Sequence, residues 1–277
     1  MPARLRCTAT AVTGIPAGYR SPVQWGSFAA LGDSFTEGLD DPYPGRGEFR
    51  GWADLVATAL AQRRSGFRYA NLAIRGRLFG RVVSEQVPPA LAMRPDLISF
   101  SAGINDALRR NFDPGRLVAK FDAIIGDLRA GGADVILFRY ADGIAHLPGQ
   151  RVVGRRIAIL NQAVLAAGER HGARVVDLAG DAELANPALW STDRLHLASA
   201  GHHRVAAHVL AALGMEPDPA WWDAPSWPGP SPWLTARTAD LAWAGRHLVP
   251  WLKRRLTGRS SGDGVTAKRP ILTPFLD

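Results

Sequence analysis

Little in this sequence points to a stapled, metal-caged or membrane-spanning protein. Cys7 is the sole cysteine among 277 residues, so no intramolecular disulfide can form and no cysteine cage for zinc exists. No window approaches the roughly 18 apolar residues that suggest a membrane span. Arg4 and Arg6 are followed by a threonine-broken stretch rather than the apolar run of a secretory signal, so a cytoplasmic protein is expected. The chain also lacks the low hydrophobicity of disorder: 47% of it is hydrophobic and 21% charged, which describes a globular body. No internal repeat is visible.

Charge is present in excess of one sign. The formal net charge is +8, with a pI of about 10.5. Part of that excess sits late in the chain, where Arg246, Lys253, Arg254, Arg255, Arg259, Lys268 and Arg269 face only Asp263 and Asp277. Such a balance permits contact with nucleic acid or anionic membrane without establishing either. Nucleic acid is disfavoured as a partner, because the aromatics lie among prolines and away from most basic residues.

Short apolar runs alternate with longer amphipathic stretches. Strands are expected at 25–31, 67–72, 97–101, 134–139 and 174–178, and helices at 52–62, 78–93, 117–129, 151–170 and 198–213. Pro88-Pro89 is expected to break the second helix, and Gly131-Gly132 to end the third. Five strands joined by helical crossovers predict a parallel sheet covered on both faces. Ligands of such sheets sit outside the carboxyl ends of the strands.

After Gly214 the composition changes. Prolines from Pro217 to Pro232 interleave with Trp221, Trp222, Trp227 and Trp233. Tryptophans seek burial, so this reads as an irregular strap rather than a linker. A helix over 235–248 and a loose tail beyond Gly258 complete the expectation. The organisation is then an extension over 1–23, a main domain over 24–213, and a strap with a basic tail over 214–277.

Four clusters carry reactive groups, each just past an expected strand. Gly32-Asp33-Ser34-Phe35-Thr36-Glu37-Gly38 would present Ser34 in a tight turn at the sheet edge. Equally, Ser34 can be a plain helix cap, with Glu37 completing a capping box. The cluster from Asn71 to Arg77 and the cluster Gly103-Ile104-Asn105-Asp106 combine glycines with an asparagine. With the N–H of Ser34 they can hold a developing oxyanion from three directions, or simply be turns. In the fourth, Asp193 and His196 are three residues apart, so the carboxylate can hold one ring nitrogen while the other faces Ser34. Each signal alone is weak; four unrelated segments converging on one sheet edge are not. Asp33 and Asp106 are expected to orient loops by hydrogen bonds rather than act as an acid–base pair.

On these residues the chain resembles the SGNH, or GDSL, hydrolases. Gly32-Asp33-Ser34-Phe35 matches their first motif, with Phe35 where leucine is commoner. Gly76 matches the second-motif glycine, Gly103 to Asp106 the third motif, and Asp193 with His196 the last. The resemblance runs over about 28–208 and departs at Arg77-Leu78, where small polar residues are frequent. It implies a flavodoxin-like three-layer α/β/α sandwich with a five-stranded parallel sheet of order 2-1-3-4-5. It further implies a serine esterase without a cofactor, acting on small acyl esters or thioesters. Ser34, Asp193 and His196 would form the triad, and the N–H groups of Ser34 and Gly76 with the Asn105 amide the oxyanion hole. A carbohydrate O-deacetylase would use the same residues and is the alternative within enzymes.

Other classes are less well supported. Gly-x-Ser-x-Gly is absent around Ser34, which disfavours an α/β-hydrolase. His196, His202, His203 and His208 suggest a metal set, but His202 and His203 are adjacent and point different ways on a helix, so no metal is expected. The alternative outside enzymes is a binding protein whose tail does the work. Trp233, Leu241, Trp243, Leu248, Trp251 and Leu252, with Lys253-Arg254-Arg255, would then touch a membrane surface weakly. Against it, Pro250 interrupts the helix and apolar residues so spaced more often pack on their own domain.

Overall fold

The computed structural model describes residues 25–45, 47–141, 150–227, 242–250 and 259–275, with single positions at 229, 240, 253 and 257. The extension over 1–23 and several tail residues proposed for membrane contact (Trp233, Leu241, Trp251, Leu252, Arg254 and Arg255) lie outside the described residues.

Strands β1 (Ser27–Gly32), β2 (Arg68–Asn71), β3 (Leu97–Ser101), β4 (Asp134–Arg139) and β5 (Arg174–Asp177) run parallel in the order 2-1-3-4-5. Every residue of β1 and β3 is buried, as expected of central strands covered on both faces. Between them run α1 (Ser34–Glu37), α2 (Gly51–Ala61), α3 (Phe79–Met93), α4 (Ile104–Ala107), α5 (Pro114–Ala130) and α6 (Gln150–His171), and after β5 comes α7 (Ser199–Ala212). Helix α2 packs on α7, and α3, α5 and α6 pack in succession, which gives the two outer layers of an α/β/α sandwich. Among the described residues no helix is long and apolar enough to cross a membrane.

Two expectations are corrected. Helix α3 runs unbroken through Pro88 and Pro89. Both prolines are exposed, while Val82, Val87 and Ala90 are buried against the core. The carbonyls of Ser84 and Glu85 that lose their partners therefore lie toward water, and packing of the opposite face outweighs the local penalty.

The second correction concerns the residues after Gly258, which are not a loose tail. Strand β6 (Arg269–Pro274) pairs antiparallel with β2, placing Thr273 opposite Tyr69, and adds a sixth strand to the sheet. Pro270 and Pro274 are tolerated because β6 is an edge strand. Phe275 closes the end: its N–H donates to Phe67 O at 3.0 Å and its ring meets Tyr69 edge-on. Just before the strand, Lys268 reaches inward. Its Nζ lies 2.8 Å from Asp54 Oδ1 on α2 and donates to the carbonyls of Phe49 and Arg50. Asp54 is 1% exposed and also accepts from the hydroxyls of Tyr43 and Tyr69.

The strap does lie on the domain where it is described. Trp221 and Trp222 pack against His203 and His208 of α7, and the guanidinium of Arg204 donates to Trp222 O. Trp227 departs from this and is 47% exposed.

Candidate active site

Strand β1 ends at Gly32, where the chains pass so closely that a Cβ would stand 2.7 Å from Ser101 O on β3. Gln86 of α3 brackets this residue, accepting from its N–H and donating to its carbonyl, each at 2.8 Å. Asp33 then caps α1 through Phe35 N–H, and Ser34 is the first helical residue. Ser34 is therefore not the cap itself, and the capping-box alternative falls. Glu37 instead holds the β2–α3 loop, accepting from the N–H and guanidinium of Arg75.

The Asp193–His196 loop comes to the same edge. Asp193 Oδ2 lies 2.5 Å from His196 Nδ1, and His196 Nε2 lies 3.0 Å from Ser34 Oγ. Asp193 Oδ1 accepts from the backbone N–H of Leu195 and of His196, which fixes the turn. Burial acts to raise the Asp193 carboxyl, but the His196 ring and those two N–H groups win and hold it down at about 2. It is thus ionised over the working range, with His196 Nδ1–H as its donor and Nε2 free to accept from Ser34.

Asn105 and Gly76 lie at the ends of β3 and β2. Asn105 Nδ2 donates to Asp33 Oδ2 at 2.8 Å and to Arg77 O at 3.1 Å. Its two amide hydrogens are both engaged, so donating to an oxyanion requires it to share or release one of these bonds. The Gly76 N–H makes no hydrogen bond among the described residues, and Ser34, at the start of its helix, has no intrahelical acceptor for its own N–H. As expected, Asp33 and Asp106 orient loops, Asp106 by accepting from Phe79 N–H at 2.7 Å. Burial pushes the Asp33 carboxyl up to about 6 and raises that of Asp106.

Ser34 and His196 open onto a cavity of about 130 Å³. Its walls are largely apolar, with Leu108, Ile157, Leu178, Leu184 and Trp190 prominent, and one polar side is made by Ser101 and Tyr140. Several residues that shape the site escaped the sequence reading. Gln86 is a lone polar group on the buried face of a helix, which was a usable signal. Asp40 and Ser191 were not legible: Ser191 Oγ lies 2.5 Å from Asp40 Oδ2, across 151 residues of chain, and 3.3 Å from Asp193 Oδ1.

The four histidines weighed as a metal set do not come together. His203 turns to Ser199 O on its own helix, and His208 pairs with Asp181. His202 is buried, its Nδ1 accepting from Trp52 N–H and its Nε2 facing Leu39 O. Asp40, Asp193 and His196 do approach within 4.8 Å of one another, but two of the three are already joined in the chain to Ser34.

Burial depresses the His202 imidazole to about 4. The folded state then resists a proton that the unfolded chain accepts from about pH 6.5 downward. The stability this neutral ring contributes is complete above pH 6.5 and lost as pH falls toward 4. Urea unfolding at pH 7 and pH 4.5 should show a loss from this group on the order of 2–3 kcal/mol. His202→Gln should remove most of that pH dependence; an undiminished acid loss in the variant would assign it elsewhere.

Against known proteins, a profile described as the GDSL-like Lipase/Acylhydrolase family matches residues 30–204. No curated protein matches the chain at a significant level. Solved structures are similar in fold. TesA shares 23% identity and a TM-score of 0.54, over 68% of this chain and 97% of its own. LAE5, an alpha/beta hydrolase enzyme from the metagenome of Lake Arreo, Spain, shares 22% at a TM-score of 0.56, over 68% of this chain and 94% of its own. Axe2, an acetylxylan esterase from Geobacillus stearothermophilus, shares 19% at a TM-score of 0.55, over 76% of this chain and 99% of its own.

Proposed function

Because the chain belongs to the GDSL-like lipase/acylhydrolase family, we propose that it is a serine esterase for short acyl groups. The observation that carries the reading is the unbroken hydrogen-bonded line from Asp193 through His196 to Ser34, ending at the mouth of an apolar cavity.

In this reading His196 Nε2 takes the proton of Ser34 as Oγ attacks the ester carbonyl carbon. Asp193 holds the imidazole tautomer and steadies the imidazolium. The carbonyl oxygen becomes an oxyanion, held by the N–H groups of Ser34 and Gly76 and by Asn105. Collapse expels the alcohol, which leaves with the proton from His196. Water then attacks the acyl-serine by the same route, releasing the acid and restoring Ser34. Asn105→Ala should lower kcat/KM by roughly a hundred- to a thousandfold if its amide reaches the oxyanion. Unchanged turnover would remove Asn105 from the hole and leave it as the partner of Asp33.

The cavity sets the acyl length. An engineered apolar cavity of about 150 Å³ accommodates benzene, so about 130 Å³ suits roughly two to six acyl carbons. On p-nitrophenyl esters, acetate to hexanoate should be cleaved and decanoate should be poor. A profile rising through decanoate would place the acyl chain elsewhere. The same small pocket suits an acetyl group, so acetylated carbohydrate is the second reading. Release of acetate from acetylated xylan faster than from p-nitrophenyl acetate would favour it.

A further inference from the structure

The family profile ends at residue 204, yet residues well beyond it touch two of the four loops that carry the site. On one side, Trp243 Nε1 donates to Asp193 O at 3.1 Å. Arg194, at the left-handed φ of 58°, stacks its guanidinium over the Trp243 ring and pairs with Asp240 at 2.7 Å. On the other side, Ser260 Oγ donates to Gly76 O at 3.3 Å. The fit there is tight in both directions. A Cβ on Gly76 would stand 2.5 Å from Ser260 Oγ, and one on Gly262 would stand 2.1 Å from Arg75 O. Gly262 is buried in a segment whose neighbours are exposed.

The segment is anchored where it makes these contacts. Six residues past Gly262, Lys268 is tied to buried Asp54, and β6 then pairs along β2, the strand from which the Gly76 loop departs. The Gly76 loop is thus held from within by Glu37 through Arg75 and from outside by residues 260–262.

We propose that the C-terminal segment is a clamp that sets the geometry of the oxyanion hole and of the catalytic carboxylate. Ser260 and Gly262 fix the backbone that carries the Gly76 N–H, and Trp243 fixes the backbone of Asp193. All three are positioning residues, acting through Gly76 and Asp193 rather than on substrate. The inference rests on the esterase reading above, because it needs Gly76 to be an oxyanion donor.

Gly262→Ala in the full chain tests it, since the added methyl and Arg75 O cannot both stay in place, and a shift of either backbone alters the contact on the Gly76 loop. The expected result is a fall in kcat of about ten- to a hundredfold with KM within about twofold. The Ki of an alkylboronic acid, whose serine adduct places an oxygen in the same hole, should rise in step with the loss in kcat/KM. The amide resonance of 15N-labelled Gly76 should move, while the melting temperature changes by only a few degrees. A lesion of general stability would not make the boronate Ki track kcat/KM.

Wild-type kcat and Ki in folded Gly262→Ala, or an unmoved Gly76 amide, would overturn the clamp. Should Gly262→Ala fail to fold, Ser260→Ala carries the test without steric load, and unchanged kcat and Ki there overturn it equally. Ser34→Ala in parallel separates the two readings. If Ser34→Ala is dead and Gly262→Ala is normal, the clamp alone fails. If Ser34→Ala keeps full turnover, the esterase reading fails and the catalytic role of the clamp with it.

Discussion

Replacing Ser34 by alanine should lower kcat on a short acyl ester by about a millionfold, the size of effect seen when a serine nucleophile is removed from a comparable triad. The loss is this large because, on the esterase reading, the hydroxyl that lies 3.0 Å from His196 Nε2 at the cavity mouth is the group that forms the acyl-enzyme. His196 and Asp193 have nothing to activate once it is gone. What remains should be the contribution of the hole and of substrate binding, roughly 10³–10⁴ over water. Asp193→Asn should cost less, about 10⁴ in kcat, because the imidazole survives in the wrong tautomer. Initial rates with wild type and both variants at one pH, with fold checked by circular dichroism, measure the three levels. A fluorophosphonate should label wild type at Ser34 and fail on Ser34→Ala. Equal labelling and equal rates would place the nucleophile elsewhere.

The second large effect falls far from the chemistry. Lys268→Met should destabilise the fold by about 3–5 kcal/mol, the range found when one partner of a buried ion pair is removed. Asp54 is buried and Lys268 nearly so, with side-chain exposures of 1% and 11%. Methionine keeps the length and apolar body of the side chain but, among the described residues, leaves Asp54 with two tyrosine hydroxyls and no paired cation. The carbonyls of Phe49 and Arg50 also lose the ammonium as a donor. Urea unfolding with a shared slope for wild type and variant reads the change directly. Asp54→Asn in the Lys268→Met background should return part of the loss, since the uncompensated charge is then absent. A variant as stable as wild type would mean that the Lys268–Asp54 pair contributes little to the fold.

Much of this architecture was legible because it is written locally. Strands β3 and β4 lie where the short apolar runs put them, and the helices begin and end within a few residues of their periodic patterns. Period and turn chemistry are properties of neighbours along the chain, so they survive without knowledge of the fold. The candidate site was legible for a related reason. A serine, a glycine, an asparagine and an Asp–His pair, each following a strand, are informative only jointly, and a parallel sheet places all strand ends on one edge.

Other features could be decided only by contact. Asn105 was read as an oxyanion donor from its type and place; that its amide rests on Asp33 and Arg77 O is a matter of packing. Pro88 and Pro89 looked like a break because local rules count a lost hydrogen bond and not the buried face across the helix. Residues 259–275 looked like a tail because their prolines and basic charge give no period of their own. An edge strand has no internal hydrogen bonds, so its partners must come from elsewhere, here from β2 some two hundred residues earlier. The sequence by itself therefore determined the five long helices of the main domain, the five parallel strands and the reactive groups past their ends, all of which follow from short-range periodicity and side-chain chemistry. Only the tertiary structure decided the sixth strand, the Lys268–Asp54 pair and the segment over Gly76, because those depend on surfaces that exist only once the sheet has formed.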